Sequence, residues 1–150
     1  MTQDKYIALI DRLGALPTET EWLEFKRNRY EPQVLGEYLS ALANSASLAG
    51  QPCGYLLFGI DDKTHEVVGT KFGPYPAKGK GNQDLIHWLA MGLQPRPLFE
   101  VHVVEHPKGR VVIFEVGAAR GQPVRFYGQA WIRIGTNKTL LRNHPEKERA

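Results

Sequence analysis

The stretch Tyr55–Ile60, with the sequence YLLFGI, constrains the fold most, because it is apolar on both faces over the length of one strand. An alternating pattern would predict a strand with one face in water, whereas a continuous apolar run predicts a central strand that is covered on both faces. Two carboxylates, Asp61 and Asp62, end the run. Before it, a helix that opens at Pro32 is predicted by apolar residues at helical spacing.

A short charged strand is predicted before that helix. Over Trp22–Lys26 the side chains alternate, with Leu23 and Phe25 on one face and Glu24 on the other. We therefore expect Glu24 to point away from the core. If the two strands are adjacent they must be parallel, because a helix of this length lies between them as a crossover.

The rest of the chain predicts two more helices and several hairpin strands. The helices are predicted at Lys5–Leu16 and from an Asn82 N-cap to Leu93, and the strands at Glu66–Lys71, Leu98–Glu105, Arg110–Val116, Val124–Tyr127 and Ala130–Ile134. About three helices and about six strands, mostly in hairpins, predict an α+β fold with a mixed, mostly antiparallel sheet.

Composition narrows the class of protein. A length of 150 residues predicts a single domain over residues 1–150, and 42% apolar with 23% charged residues argues against global disorder. The single cysteine, Cys53, can form neither an internal disulfide nor a multi-cysteine zinc site, which favours a reducing, cytoplasmic location. The sequence shows no apolar run of about 20 residues and no secretion signal, so we expect no membrane association.

Charge is distributed unevenly along the chain. Residues 1–107 carry 10 lysines and arginines against 13 acidic residues, whereas residues 108–150 carry 9 against 3, within a net charge of +3. A basic C-terminal part favours a polyanionic partner, although solvated surface cations are the alternative interpretation. The glycine-rich loop Gly73–Gly81 does not have Walker A spacing, but its Lys78 and Lys80 could contact backbone phosphates.

Five short motifs together resemble the Schlafen AlbA-like (divergent Alba) family, whose domains are described as DNA-binding. The resemblance covers roughly residues 16–142 and is carried by Glu19 with Glu24-Phe25-Lys26, Ala41-Leu42-Ala43-Asn44, Gly54–Asp62, Val68-Gly69 and Trp131–Thr136. The chain departs from the family in residues 45–53, where relatives pass through two glycines directly into the strand. The resemblance implies an α+β domain that binds nucleic acid.

A nuclease site is also implied by this resemblance. In Schlafen-type ribonucleases two glutamates and an aspartate form a metal-dependent site, and the matching positions here are Glu19, Glu24 and Asp62. Three carboxylates that converge on Mg²⁺ or Mn²⁺ suit phosphodiester cleavage. An extended chain would place Glu19 and Glu24 about 16 Å apart on opposite faces, so residues 20–22 must bend. The alternative is that these carboxylates are solvated turn residues, with Asp61 or Asp62 capping the hairpin.

The function we predict is that of a nucleic-acid-binding domain of a bacterial transcriptional regulator. Arg133 is expected to project outward, because Ile132 and Ile134 occupy the opposite face. The predicted phosphate contacts are Lys26, Arg27, Arg29, Lys78, Lys80, Arg120, Arg125, Arg133 and Lys138. The alternatives are a metal-dependent endoribonuclease and a protein-interaction or homo-oligomerisation module. The sequence leaves DNA or RNA open as the partner, and the helical pattern at its C-terminus predicts a domain excised from a longer chain.

Overall fold

The computed structural model describes residues 2–17 and 20–148. Within them the helices and strands follow one another in an α+β order. The helices are α1 (Thr2–Gly14), α2 (Pro32–Leu48), α3 (Leu85–Gly92), α4 (Pro145–Glu148) and a 3₁₀ helix (Leu141–Asn143); the strands are β1 (Leu23–Lys26), β2 (Cys53–Phe58), β3 (Leu93–Gln94), β4 (Phe99–His106), β5 (Gly109–Gly117), β6 (Arg125–Phe126), β7 (Gln129–Ile134) and β8 (Asn137–Leu140).

The first sheet has the strand order β1-β2-β5-β4. Its strands β1 and β2 are parallel, with Leu23 beside Tyr55 and Lys26 beside Phe58, and the other two pairings are antiparallel. The expected parallel neighbours and the expected central strand are therefore both confirmed. β2 is central because Leu56 and Phe58 pack on one face of the sheet while Leu57 packs on the other.

The two faces of this sheet carry separate cores. One face packs against α1 through Leu9, Ile10 and Leu13, together with Phe25 from β1. The other face packs against α2 and α3, mainly through leucines and phenylalanines. The mixed sheet of an α+β fold is thus present as expected, and each face has its own helical cover.

A second sheet, of order β3-β6-β7-β8, lies against α2 and is antiparallel throughout. α2 is therefore buried between two sheets, and its polar residues find partners there. Asn44 donates to Val124 O at 3.0 Å and to Trp131 O at 2.8 Å, and it accepts from Val124 N at 2.8 Å. Ser40 donates to Val124 O at 2.8 Å and accepts from Trp131 N at 3.0 Å. We call this contact between α2, β1 and the second sheet the seam.

The expected strand at Glu66–Lys71 is wrong. That segment forms no strand. A single isolated bridge, Ile60 with Val67, connects it to the end of the apolar run Tyr55–Ile60. Gly69 has a φ of +83° and lies against Gly109, where a Cβ would come within 2.8 Å of the Gly69 Cα. The segment is therefore pulled onto the β4–β5 turn and away from the extended conformation that a strand needs.

Helix α3 and strands β3 and β8 also differ from expectation. α3 begins after Asp84, whose backbone is extended, and not after Asn82. Both β3 and β6 have two residues each, and β8 is largely polar, so their pairing leaves little periodic signal in the sequence.

The outer edge of β4 is covered by side chains. Gln3 of α1 donates to Val103 O at 3.3 Å and accepts from Glu105 N at 3.0 Å. Further along the same strand, the Tyr75 hydroxyl donates to Val101 O at 3.3 Å. Backbone groups on the open side of the edge strand are thereby partly satisfied.

Across residues 2–17 and 20–148, every helix is too short or too polar to cross a lipid bilayer.

Candidate nucleic-acid interface

A groove of about 460 Å³ opens where β1 ends and α2 begins. It is lined by charged residues, by aromatic residues and by part of the core beneath them: Glu24, Phe25, Lys26, Arg27, Asn28, Arg29, Tyr30, Glu31, Val34, Leu35, Tyr38, Leu56, Phe58 and Asp62. The loop of residues 27–31 forms one wall. Asn28 anchors this loop, because its Oδ1 accepts from Thr70 Oγ1 and from Lys71 N, each at 2.8 Å.

Three of the predicted phosphate contacts lie in this groove. Arg27 and Arg29 are exposed and Lys26 is half-buried. Arg27 is paired with Asp61 and Lys26 lies 3.5 Å from Glu24 Oε2. Arg29 has no ion pair within the residues that the structure describes. It is therefore the groove cation that can take an anionic ligand without first giving up a carboxylate.

An aromatic residue of the groove, Tyr38 of α2, contacts one lysine from the N-terminal part of the chain and one from the C-terminal part. The Lys26 ammonium lies 4.7 Å from the centre of its ring, and that of Lys138 lies 5.7 Å from it. Lys138 also sits 4.8 Å from the Trp131 ring and 2.8 Å from Glu37 Oε1. Lys138, from the basic C-terminal part, is thus brought close to Lys26 from the acidic N-terminal part.

Glu24 does not point away from the core, and this expectation is wrong. Its residue surface is 7% exposed, because Arg133 of the second sheet lies against it on the face of β1 that the alternating pattern assigned to solvent. Glu24 Oε1 lies 3.0 Å from Arg133 Nη2. The alternation itself holds, since Leu23 and Phe25 pack on the α1 face.

Arg133 is likewise not on an outward face. It is fully buried, donates to Leu23 O, and its backbone N–H donates to Ser45 Oγ at 3.1 Å. The expectation assumed that Ile132 and Ile134 both face the core. Ile132 is buried, but Ile134 is 36% exposed. Because the guanidinium offers no surface to a ligand, Arg133 is not among the phosphate contacts that we propose.

The two aspartates that end the central strand have different environments. Asp61 Oδ1 accepts from Lys63 N at 2.8 Å and from Thr64 N at 2.9 Å, as the turn-capping alternative expected. The Thr64 bond, the Arg27 side chain and the Lys63 bond hold the pKa of the Asp61 carboxyl well below its usual range. Asp62 is exposed and lines the groove.

Two of the three predicted metal ligands, Glu24 and Asp62, therefore line the same groove. Glu19 lies outside the described residues. The bend required over residues 20–22 is present as a turn, closed by Leu23 N donating to Thr20 O at 3.2 Å. Catalysis and metal binding by this trio stay predictions.

The remaining predicted phosphate contacts are dispersed. Lys78 pairs with Asp84 at 2.9 Å, and this contact lowers the pKa of the Asp84 carboxyl. Lys80 is exposed, Arg120 lines a separate groove with Arg96, and Arg125 lines a third one. The groove residues that sequence reasoning missed are Asn28, Tyr30 and Tyr38. Their signal was weak, because Tyr38 fits the apolar stripe of α2.

Comparison with known proteins identifies a family and a fold. The family model described as Schlafen, AlbA_2 matches residues 19–142. The N-terminal domain of a RecG-related protein from Nitrosomonas europaea is similar, with a TM-score of 0.51, 22% identity, and coverage of 89% of this chain and 90% of that one. At this identity the likeness concerns the fold alone.

A second solved structure, the DIP2311 protein from Corynebacterium diphtheriae, has a TM-score of 0.48 and 19% identity. The alignment covers 93% of this chain and 27% of that protein, so the present chain corresponds to a minor part of its length. No curated protein matches the sequence.

Proposed function

This chain belongs to the Schlafen, AlbA_2 family, and we propose that it binds nucleic acid along the groove. The observation that carries the proposal is the convergence of Lys26, Arg27 and Arg29 on one concave surface, with Lys138 beside them across Tyr38. Cations that neutralise backbone phosphates release counterions from the nucleic acid, and this release supplies affinity that does not depend on sequence.

The ion pairs of the groove leave one of its cations open to a phosphate ligand. Arg29 is exposed and has no ion pair in the described part of the chain, while Arg27 can exchange its contact with Asp61 for a phosphate. Tyr30 and Tyr38 add aromatic surface beside these cations, and aromatic rings stack on bases of any sequence. We therefore expect weak sequence preference.

The test compares two exposed arginines, Arg29 in the groove and Arg12 on α1. Arg29→Ala should weaken binding to duplex DNA or tRNA and should reduce the slope of log K against log salt by about one. Arg12→Ala on α1 removes the same charge away from the groove and should leave the slope unchanged. If wild-type binding is flat between roughly 50 and 200 mM salt, a phosphate-binding function is ruled out and a protein-interaction or homo-oligomerisation role would take its place.

Regulation of transcription in the cytoplasm is the finer role that we propose for this binding. A domain that contacts phosphates through a shallow groove can hold a longer protein on DNA while other domains supply specificity. Competition between equal masses of duplex DNA and tRNA tests this role. Preference for duplex DNA supports it, and preference for tRNA directs the proposal to RNA.

A metal-dependent endoribonuclease is the second candidate, favoured by the presence of Glu24 and Asp62 in one groove. Oxygen ligands of this kind suit Mg²⁺ or Mn²⁺, which can activate water and stabilise the leaving oxygen. Two cations beside Glu24 weigh against this candidate. Arg133 and Lys26 already neutralise the Glu24 carboxylate, which a metal ion would need as a ligand.

Asp62→Asn is the cleanest catalytic variant, because Asp62 is exposed and its loss leaves the seam intact. Cleavage of tRNA with Mn²⁺ should fall by orders of magnitude in this variant if the carboxylate holds the metal. Asp4→Asn, an exposed change on α1, is the matched control. An intact tRNA after incubation with the wild-type chain and Mn²⁺ would eliminate the nuclease candidate.

A further inference from the structure

A second polar cluster lies on the α1 face of the first sheet, on the opposite side from α2. It consists of Glu100 and His102 on β4 and Glu115 on β5. The strand register places Glu100 directly beside Glu115 and His102 beside Ile113, so the three side chains share one face of the antiparallel ladder. Tyr6 of α1 covers His102 from above.

One nitrogen of the imidazole faces two carboxylates. His102 Nε2 lies 3.2 Å from Glu100 Oε1 and 3.3 Å from Glu115 Oε1. The three atoms all lie within 4.8 Å of one another. Among the described residues, no other group of three histidine, cysteine or acidic side chains comes together in this way.

A hydrogen bond alone satisfies this arrangement poorly. Nε2 carries at most one proton, so it can donate fully to one carboxylate but not to both. In the part of the chain that the structure describes, neither Glu100 nor Glu115 pairs with a lysine or arginine. Two carboxylates therefore face a single imidazole, and the cluster attracts positive charge.

We propose that Glu100, His102 and Glu115 form a binding site for a divalent transition-metal ion of the Zn²⁺ type. A tetrahedral Zn²⁺ with bonds of about 2.0–2.1 Å holds neighbouring ligand atoms about 3.3 Å apart. The two nitrogen–oxygen distances match that spacing, and the two carboxylates, with oxygens within 4.8 Å of each other, would move together on the ion. The imidazole ligand favours Zn²⁺ over Mg²⁺ or Ca²⁺, which take oxygen ligands.

Two of the three ligands are held in place by neighbours. The Tyr6 ring stacks on the His102 ring with centres 4.0 Å apart and planes at 25°. Cys53 Sγ lies 3.4 Å from Glu115 Oε2, the oxygen that faces away from His102. The side chains of His102 and Glu115 are each 18% exposed, whereas that of Glu100 is 48% exposed. Glu100 is thus the most exposed of the three ligands, and its side of the site is the one from which water would complete the coordination.

Calorimetric titration of the chain with ZnSO₄ tests the site, with Zn²⁺ itself as the probe. We expect one ion per chain, and loss of that binding in His102→Ala. Glu100→Gln should weaken binding at least about tenfold, because even residues that only orient metal ligands typically contribute 10–100-fold. His87→Ala, an exposed histidine on α3, should bind like the wild type. Equal binding by wild type and His102→Ala would overturn the proposal.

Substitution with Co²⁺ supplies a readout that surface adsorption does not give. A tetrahedral site should produce the visible absorption of four-coordinate Co²⁺, and Glu100→Gln should reduce that band. Since Glu100 is exposed, this variant should fold even if His102→Ala does not. Octahedral-type weak absorption in the wild-type chain, or a band that Glu100→Gln leaves unchanged, would contradict the assignment.

Discussion

The seam and the groove contain the same kinds of side chain, and the charged motif of β1 contributes to both, but their surroundings are opposite. In the seam, Glu24 and Arg133 are buried against each other and Asn44 bonds three backbone groups. In the groove, only two to five residues further along β1 and its loop, Lys26, Arg27 and Arg29 reach solvent to differing extents.

The difference between seam and groove shows that cover by the second sheet determines which charged residues have a structural role. It covers β1 at Glu24 and leaves the end of the strand open, so neighbouring charges of one motif have separate tasks. Charges under the second sheet must be paired, because an unpaired buried charge costs several kcal/mol. Charges beyond its edge remain exchangeable with a ligand.

The comparison between seam and groove predicts the largest loss of stability for substitution of Arg133. Arg133→Ala should lower the free energy of unfolding by about 3–5 kcal/mol, because it leaves a cavity and removes the fully buried cation beside the Glu24 carboxylate. Chemical denaturation measures the loss. Arg142→Ala, an exposed arginine of the 3₁₀ helix, should change it by less than about 0.5 kcal/mol.

A double-mutant cycle sharpens the same point. The double variant Glu24→Gln, Arg133→Met should be less destabilising than the sum of the single variants Glu24→Gln and Arg133→Met. The reason is that the neutral pair leaves no buried charge. A loss below about 1 kcal/mol for Arg133→Ala would mean that the seam is not held by this pair.

A somewhat smaller effect is expected at Asn44. Asn44→Ala removes three hydrogen bonds to Val124 and Trp131 and leaves their buried backbone groups without this partner. Each such group costs about 1–3 kcal/mol, and we expect a total of about 2–3 kcal/mol after relaxation. Thermal unfolding measures it, with Asn143→Ala, an exposed asparagine of the 3₁₀ helix, as the control. Equal melting temperatures for the two variants would contradict the structural role of Asn44.

The smallest effect concerns the rim of the groove and depends on pH. The pKa of Asp61 is lowered in the folded chain, so its carboxylate stabilises the fold above the ordinary carboxyl pKa of about 3.9, and this contribution is lost as the pH falls below it. Asp61→Asn should therefore flatten the fall of unfolding free energy between about pH 5 and pH 2. The exposed neighbour provides the control, Asp62→Asn. Identical slopes in wild type and Asp61→Asn would show that the contacts of the Asp61 carboxylate with Thr64, Arg27 and Lys63 do not stabilise the fold.

Much of the first sheet could be predicted from sequence, because its signals are local. The apolar run after residue 53 predicted a central strand, the order of strand, helix and strand predicted a parallel pair, and both are present. The family was predicted from five motifs and the fold class from the order of helices and strands, and both are confirmed.

The failures share a cause, which is contact between segments far apart in the chain. Alternation correctly separated Glu24 from Leu23 and Phe25, but it carries no information on whether a second sheet covers the other face. Arg133 was misplaced for the same reason, since its partner Glu24 lies more than 100 positions earlier. The cluster of Glu100, His102 and Glu115 also escaped notice, because cross-strand register brings it together.

The covered edge of β4 has a consequence for how the protein behaves at high concentration. An open edge strand offers its backbone to any extended chain, and such pairing begins many aggregates. The amide of Gln3 offers one donor and one acceptor to Val103 and Glu105, as the backbone of a neighbouring strand would. The Gln3 side chain thus forms the two hydrogen bonds that a neighbouring strand would form at these positions. A second molecule would have to displace it before the two sheets could join.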